Sequence, residues 1–148
     1  MSERKFLFWQ RFLLVICAMF ALQSVSWMII GSFDPFGFYD YWMARSLFGA
    51  DELTEEARKT FAFVLIPFGA TTAGYFALVF LVVKNAFPKR ERWAYRAVVT
   101  TILIWFSLDT LFCLFVKAYF NILIVNIPCI VFGGIPLLVL RRQFTKTI

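Results

Sequence analysis

The sequence has no histidine among its 148 residues. Histidine is the commonest general base, and its imidazole is a frequent ligand in haem and zinc sites. Its absence therefore argues against those kinds of site. Cysteine is scarce as well: Cys17, Cys113 and Cys129 are widely spaced, and each lies in an apolar run, where a free thiol packs as a small hydrophobic group. We therefore predict no disulfide framework, no metal centre and no cofactor.

Charged residues are also few, at 16% of the chain, whereas 61% of the residues are hydrophobic and 20% are aromatic. A soluble domain has about 45 to 50% apolar residues, and the mean hydropathy of this chain is +0.77. The composition predicts an integral membrane protein. The net charge of +6 comes mostly from cations that flank the hydrophobic runs, which is a topology signal. We therefore predict membrane lipids as partners and no nucleic acid.

Four hydrophobic runs are long enough to cross a membrane, because each reaches the roughly 20 residues that span about 30 Å of hydrocarbon. The predicted spans cover residues 7–30, 60–83, 96–118 and 121–140. Almost no sequence separates the third run from the fourth, which indicates a tight antiparallel hairpin. We predict an all-α fold, a single transmembrane domain over residues 1–148 arranged as a four-helix bundle.

The connection between the first two spans, residues 31–54, differs in composition from the spans. Asp34 and Gly37 are typical of a turn. The aromatic segment that follows, residues 38–48, is too short to span and predicts a helix lying in the membrane interface. Thr54 is the predicted N-cap of the second span.

The second span contains two pairs of small residues at a spacing of four, Gly69 with Ala73 and Ala70 with Gly74. Such pairs allow two membrane helices to approach closely. The pattern leaves open whether the neighbour is another helix of the same chain or a second copy.

Positive charges concentrate on one side of the predicted bundle. Eleven cations and two acids lie in the N-terminal region, the 84–96 loop and the C-terminal tail, whereas four cations and six acids lie on the other side. By the positive-inside rule, both termini are predicted to be cytoplasmic. The eleven cations are Arg4, Lys5, Arg11, Lys84, Lys89, Arg90, Arg92, Arg96, Arg141, Arg142 and Lys146.

Asp109 is the one acid inside a predicted span. A carboxylate at membrane depth costs roughly 2.5 to 3.5 kcal/mol on insertion scales unless it is protonated or partnered. Counting residues at 1.5 Å each places Asp109, Gln23 and Asn126 at roughly the same depth, about 8 to 12 Å below the outer edge. We predict a polar layer in which Gln23 and Asn126 hydrogen-bond Asp109, with Thr72 or Ser26 as a further member.

Two tryptophans are predicted to flank this layer, because Trp105 precedes Asp109 by four residues and Trp27 follows Gln23 by four. Two interpretations remain open. The layer either joins the helices as internal packing, or forms a small pocket towards the outer leaflet for a lipid headgroup, a quinone-like ligand or a proton. We predict no catalytic residue.

Several segments resemble a known family. These are residues 69–75 (GATTAGY), 91–97 (ERWAYRA) and 105–110 (WFSLDT), together with Asn121 and Asn126. They resemble a family of small uncharacterised bacterial four-helix membrane proteins that is distantly similar to DoxX-type proteins. The resemblance covers most of residues 10–140 and implies a four-span bundle in a bacterial inner membrane. It implies no activity, and the aromatic outer loop matches nothing in it.

Three functional hypotheses follow from the sequence. The first is a non-enzymatic polytopic membrane protein that acts as an accessory subunit or a lipid-associated module, with other membrane subunits or a second copy as partners. The alternative is a small proton- or cation-coupled transporter or channel that uses Asp109. The third is a lipid-modifying membrane enzyme, for which the sequence supplies a buried carboxylate but no base or nucleophile motif.

Overall fold

The computed structural model describes residues 1–30 and 36–144, and in these residues it contains helices and no strand. Four helical stretches are long and apolar enough to cross a membrane, which confirms the predicted all-α four-helix bundle. The chain order is α1 (Glu3–Ile30), α2 (Phe38–Met43), α3 (Glu55–Asn85), α4 (Arg92–Phe115), α5 (Tyr119–Asn121) and α6 (Ile127–Leu140). The fourth span combines α5, α6 and the turns beside them, Tyr119–Gln143.

The second span begins earlier than its hydropathy predicts, because a capping residue extends it into polar sequence. Thr54 has an extended backbone, and its side-chain oxygen accepts a hydrogen bond from the Ala57 amide at 3.2 Å. Glu55 and Glu56 occupy the first turn of α3, where the helix dipole favours negative charge. The predicted N-cap is therefore confirmed, and α3 adds more than one polar turn before the apolar run.

A short helical segment connects the first span to the second, as predicted for the aromatic stretch. Gly37 adopts a positive φ of 63° immediately before α2, and a π-helical turn, Ala44–Phe48, follows α2 and ends at Gly49, whose φ is 65°. Glycine adopts this left-handed conformation at little cost. Phe38 and Phe48 are exposed, whereas Met43 and Ala44 are buried against the protein. The turn predicted at Asp34 lies outside the described residues.

The fourth span is not a uniform α-helix. α5 runs into a π-helical turn, Ile122–Asn126, in which the Ile127 amide donates to the Ile122 carbonyl five residues before it. This wider turn lies directly before Pro128, whose ring and missing amide disturb an ordinary α-helical turn. The span finishes in a 3₁₀ turn, Arg141–Gln143.

The third and fourth spans form the predicted tight hairpin. α4 ends at Phe115, and Lys117, two residues later, has a positive φ of 60°. The Ala118 amide donates to the Cys113 carbonyl at 2.8 Å, and the Lys117 amide donates to the Leu114 carbonyl at 3.3 Å. This pair of bonds is the Schellman pattern that closes a helix with a left-handed residue. It reverses the chain within a few residues and sets α5 and the π turn beside α4.

The main core lies at one end of the bundle, which we call the basic end. The basic end comprises the start of α1, the 86–91 turn and the end of the fourth span. Aromatic rings from these segments meet there, because Phe87 lies 4.8 Å and Phe6 lies 6.3 Å from Phe144, measured between ring centroids. The buried hydrophobic residues of this core are Phe6, Leu13, Cys17, Val79, Val83, Ala86, Phe87, Ala94, Val98, Leu137, Leu140 and Phe144.

A smaller core lies at the opposite, acidic end, which comprises residues 36–54 and the α4–α5 turn. Met43, Ala44 and Leu53 of the connecting segment pack there with Cys113, Ala118 and Phe120 of the hairpin. Ala57 and Phe61, at the start of α3, pack against the same cluster. The connecting segment therefore covers this end of the bundle.

The most extensive helix pair is α1 with α3, and one glycine sets how closely they approach. Gly69 is buried, and a Cβ atom added there would lie 2.8 Å from the Ser24 carbonyl oxygen and 2.8 Å from Met28 Cγ. Gly74 and Ala70 are exposed, and a Cβ added at Gly74 would meet nothing within 4 Å. Gly69 therefore serves packing within the chain, whereas the Ala70 and Gly74 pair faces outward.

Replacing Gly69 with alanine tests this close approach. Met28 can adjust, but the Ser24 carbonyl belongs to the backbone, so we expect Gly69→Ala to lower the free energy of unfolding by about 1 to 3 kcal/mol, as overpacking does. Equilibrium unfolding in mixed detergent micelles measures it. Gly74→Ala is the matched control and should leave stability unchanged or slightly raised, since alanine is the better helix former. Equal stability of the two variants would contradict the assigned contact.

Candidate functional site

Asp109, the acid inside the third span, lies on α4 about two turns before the helix ends at the acidic end. Its side chain is partly buried. One carboxylate oxygen, Oδ2, accepts a hydrogen bond from Asn121 Nδ2 at 3.2 Å, and the Cys113 thiol lies 3.6 Å from the same oxygen. Asn121 Nδ2 is also 3.2 Å from the Cys113 sulfur. These three side chains form a compact polar cluster that joins α4 to the start of the fourth span.

Asn126 forms a second polar contact between the same two spans. It is fully buried, and its Nδ2 donates to Thr110 Oγ1 at 3.0 Å. Its Oδ1 is also buried and has no hydrogen-bond partner among the described residues. The predicted hydrogen bond from Asn126 to Asp109 is therefore not formed. The Asn126 amide reaches the residue beside Asp109 instead.

Gln23 also does not meet Asp109. Both residues are among those described, no hydrogen bond joins them, and Gln23 is exposed. The reason is the direction of the neighbouring residue: Ser24 is buried at the contact with Gly69 of α3, and successive residues on a helix point about 100° apart. α1 packs mainly on α3 and α6, so the exposed side chain of Gln23 does not contact Asp109 on α4.

Thr72 does not join the cluster either. Its hydroxyl donates to the Phe68 carbonyl at 2.8 Å, one turn earlier in its own helix. Ser24 does the same with the Phe20 carbonyl at 2.7 Å. Serine and threonine hydroxyls in helices commonly satisfy themselves in this way, so they add little to contacts between helices.

The two predicted flanking tryptophans have different outcomes. Trp105 is partly buried on α4, one turn before Asp109, and makes no hydrogen bond with it although both residues are described. The side chain of Trp27 lies outside the described residues. The functional roles predicted for Asp109, Gln23, Asn126, Trp105, Trp27 and Thr72 stay predictions.

Sequence reasoning missed the actual partners of the polar residues. The sequence predicts Asn121 only as the first residue of the fourth span and Cys113 as a small hydrophobic group, and it predicts no partner for Thr110. A signal existed for Cys113, because it follows Asp109 by four residues and so lies on the same helix face. The tight hairpin also implied that residues near its turn would pair across it, which is where Asn121 lies.

A third set of polar contacts ties the basic end together. Arg90 has a positive φ of 57°, and its Nη2 lies 2.8 Å from the Glu3 carboxylate. Its guanidinium carbon lies 3.0 Å from the centroid of the Phe6 ring, an arrangement that adds cation–π attraction. Gln10, buried in α1, donates from Nε2 to the Val83 carbonyl at 3.0 Å. These contacts hold the start of α1 against the end of α3 and the turn that follows.

The polar side chains of α4 form hydrogen bonds to the fourth span. Asp109 has an amide and a thiol within hydrogen-bonding distance, and neither is a strong base. Within residues 1–30 and 36–144, no group of three or more histidine, cysteine, aspartate or glutamate side chains is placed to hold a metal ion. The geometry supports an interhelical hydrogen-bond network.

Asn126 offers a test of whether this network is structural. Asn126→Ala should lower the free energy of unfolding by about 1 to 3 kcal/mol, because it leaves a cavity and removes the bond to Thr110. Asn126→Leu fills the space and removes the buried Oδ1, so its stability should lie within about 1 kcal/mol of the wild type. Unfolding in mixed micelles measures both. A leucine variant as unstable as the alanine variant would mean that the amide itself is required.

Comparison with protein-family models, curated proteins and solved structures finds no match to this chain.

Proposed function

We propose that this polytopic membrane protein is a non-enzymatic, lipid-associated accessory module. One observation carries the proposal. The acid at membrane depth, Asp109, bonds to Asn121 of the adjacent span, and Asn126 bonds back to Thr110. Both polar contacts join α4 to the fourth span, so the polar residues are used in packing. What the chain presents to its surroundings is mainly apolar surface.

The exposed surface of the spans supports association with lipid or with another membrane subunit. Phe63 of α3 and Phe115 of α4 are 77% and 85% exposed. In the most apolar window of each span, between 11% and 22% of the residues are buried within the bundle. In a membrane, such surfaces contact acyl chains or the helices of a partner. The large exposed hydrophobic side chains of α4 are Trp93, Leu103, Ile104, Leu108, Leu111, Phe112, Leu114 and Phe115.

We further propose a bacterial inner membrane as the location, with the basic end in the cytoplasm. The charge distribution supports this orientation, since the positive-inside rule counts arginine and lysine in the short segments beside the spans. The resemblance to small four-helix bacterial proteins, distantly DoxX-like, supports the choice of membrane.

Mild extraction tests the proposed association. We expect the protein, solubilised in a mild detergent and measured by native mass spectrometry, to retain phospholipid or to leave the membrane with another membrane protein. The physical reason is the large exposed apolar surface of the spans, which lipid or a partner helix would cover. Extraction in a harsh, delipidating detergent is the control and should strip these partners. A monomer without lipid or partner under the mild condition would remove the basis of the proposal.

Cysteine labelling tests the proposed orientation. The three native cysteines lie within the spans, so new cysteines at exposed positions can be distinguished from them. In intact cells, a membrane-impermeant maleimide should label Asp51→Cys and leave Lys89→Cys unlabelled until the membrane is permeabilised. Wild-type protein gives the background. Labelling of Lys89→Cys in intact cells would reverse the orientation.

A second function, proton or cation transport through Asp109, has one observation in its favour, the partial exposure of a carboxyl group at membrane depth. If Asp109 carries the ion, Asp109→Asn should abolish flux in proteoliposomes while the protein stays folded. The accessory proposal expects no flux above protein-free liposomes from either protein. Flux by wild-type protein that the asparagine variant loses would favour transport.

A further inference from the structure

A cavity of about 290 Å³ opens at the basic end, between the start of α4 and the end of the fourth span. Its lining residues are Arg92, Tyr95, Arg96, Arg141 and Phe144. We propose that this cavity binds the phosphate group of an anionic phospholipid. The proposal rests on the proposed lipid association and specifies its chemistry: a headgroup with net negative charge, seated at the end of the spans.

The floor of the cavity is aromatic and firmly held. Phe144 is buried, and its ring stacks on that of Tyr95 with centroids 4.9 Å apart and planes inclined by 21°. The Tyr95 hydroxyl donates to the Leu137 carbonyl at 3.1 Å. The stack joins the start of α4 to Phe144, and the hydrogen bond joins it to α6.

The walls carry positive charge from two spans. Arg92 and Arg96 are four residues apart on α4 and therefore lie on one face of that helix, whereas Arg141 comes from the 3₁₀ turn that ends the fourth span. A guanidinium group matches the geometry of a phosphate and can donate two parallel hydrogen bonds to it. Arginines contributed by two helices can thus contact one phosphate from two sides.

Two of the three arginines that line the cavity, Arg96 and Arg141, are not paired with the described acids near it. Glu3 pairs with Arg90, and the Glu91 carboxylate accepts a hydrogen bond from the Trp93 indole. Arg96 and Arg141 form no ion pair with any carboxylate in the described part of the chain. A bound anion would supply the missing negative charge.

The location favours a lipid as the source of the phosphate. The cavity lies beside the ends of two apolar spans, and a basic pocket between membrane helices at this depth is suited to an anionic headgroup. Cations that serve only membrane topology need not converge on one cavity. Lys84 and Lys89 have the same charge at the same end but do not line it, so they provide a matched comparison.

The full-length protein in dodecyl maltoside can be titrated with phosphatidylglycerol, with binding measured by native mass spectrometry. Arg96→Gln combined with Arg141→Gln should weaken phosphatidylglycerol binding by about tenfold or more. Lys84→Gln combined with Lys89→Gln removes the same charge and should change binding by less than about threefold. Because Arg96 and Arg141 are exposed, the core should survive, and each single variant provides a smaller loss as a second measurement.

Three results would overturn the proposal. The first is an equal loss in the arginine and lysine double variants, which would assign binding to diffuse charge. The second is equal binding of phosphatidylglycerol and phosphatidylcholine by the wild type. The third is displacement of phosphatidylglycerol by millimolar inorganic phosphate but not by sulfate at equal ionic strength, which would assign the cavity to a free phosphate ion.

Failure of this proposal is distinguishable from failure of the proposed function. A wild-type protein that retains phosphatidylcholine, with no dependence on Arg96 or Arg141, would remain a lipid-associated module without a specific phosphate site. A protein that retains no lipid and no partner in the mild extraction would contradict the proposed function itself.

Discussion

The packing of aromatic rings at the basic end is the interaction on which the rest of the structure depends. Phe6, Phe87 and Phe144 come from α1, the turn after α3 and the end of the fourth span, and Tyr95 brings in α4 through its stack on Phe144. Between membrane helices there is little hydrophobic driving force, so close contact must hold them together. One cluster that contains residues from all four spans, or from the turns at their ends, supplies this contact. It also determines which helices lie next to one another at this end.

The described parts of the two ends are built differently. At the basic end, the core is continuous and Arg90 adds an ion pair and a ring contact to it. At the acidic end, the smaller cluster depends on a short helical segment whose two terminal glycines have positive φ. The described ion pairs of this segment, Arg45 with Asp51 and Arg58 of α3 with Asp40, each involve an exposed arginine, and exposed pairs contribute at most about 1 kcal/mol. Local opening should therefore start at the acidic end, since less apolar contact opposes it there.

The sequence predicted the spans, the connecting helix and the hairpin well, because each depends on a local property. Run length determines whether a segment crosses a membrane, Thr54 caps α3 with its own side chain, and the lack of a linker forces the hairpin. Hydropathy predicts a start at residue 60, whereas α3 begins at Glu55, since hydropathy marks apolar residues and the cap determines where the helix begins.

The polar layer could not be predicted in the same way, because it depends on which helices are neighbours. Residue counting gives depth but not direction, so it predicts one layer for Gln23 and Asp109 although they lie on helices with different neighbours. Hydroxyl groups such as that of Thr72 were also counted as available, whereas they bond within their own helix. The Gly69 contact accounts for the position of Gln23, because the pairing of α1 with α3 limits which residues of α1 can face α4.

The π turn in the fourth span acts as a one-residue insertion in the helical phase. If residues 119–140 were one continuous α-helix, the side chains after the π turn would point about 100° away from the directions they have here. This is the angle of one residue on a helix. The phase shift lets Asn126 point at α4 while Leu137 and Leu140 still enter the core. Loss of one residue from this turn would rotate the side chains of α6 by about 100° relative to α5 and so move Leu137 and Leu140 away from the core.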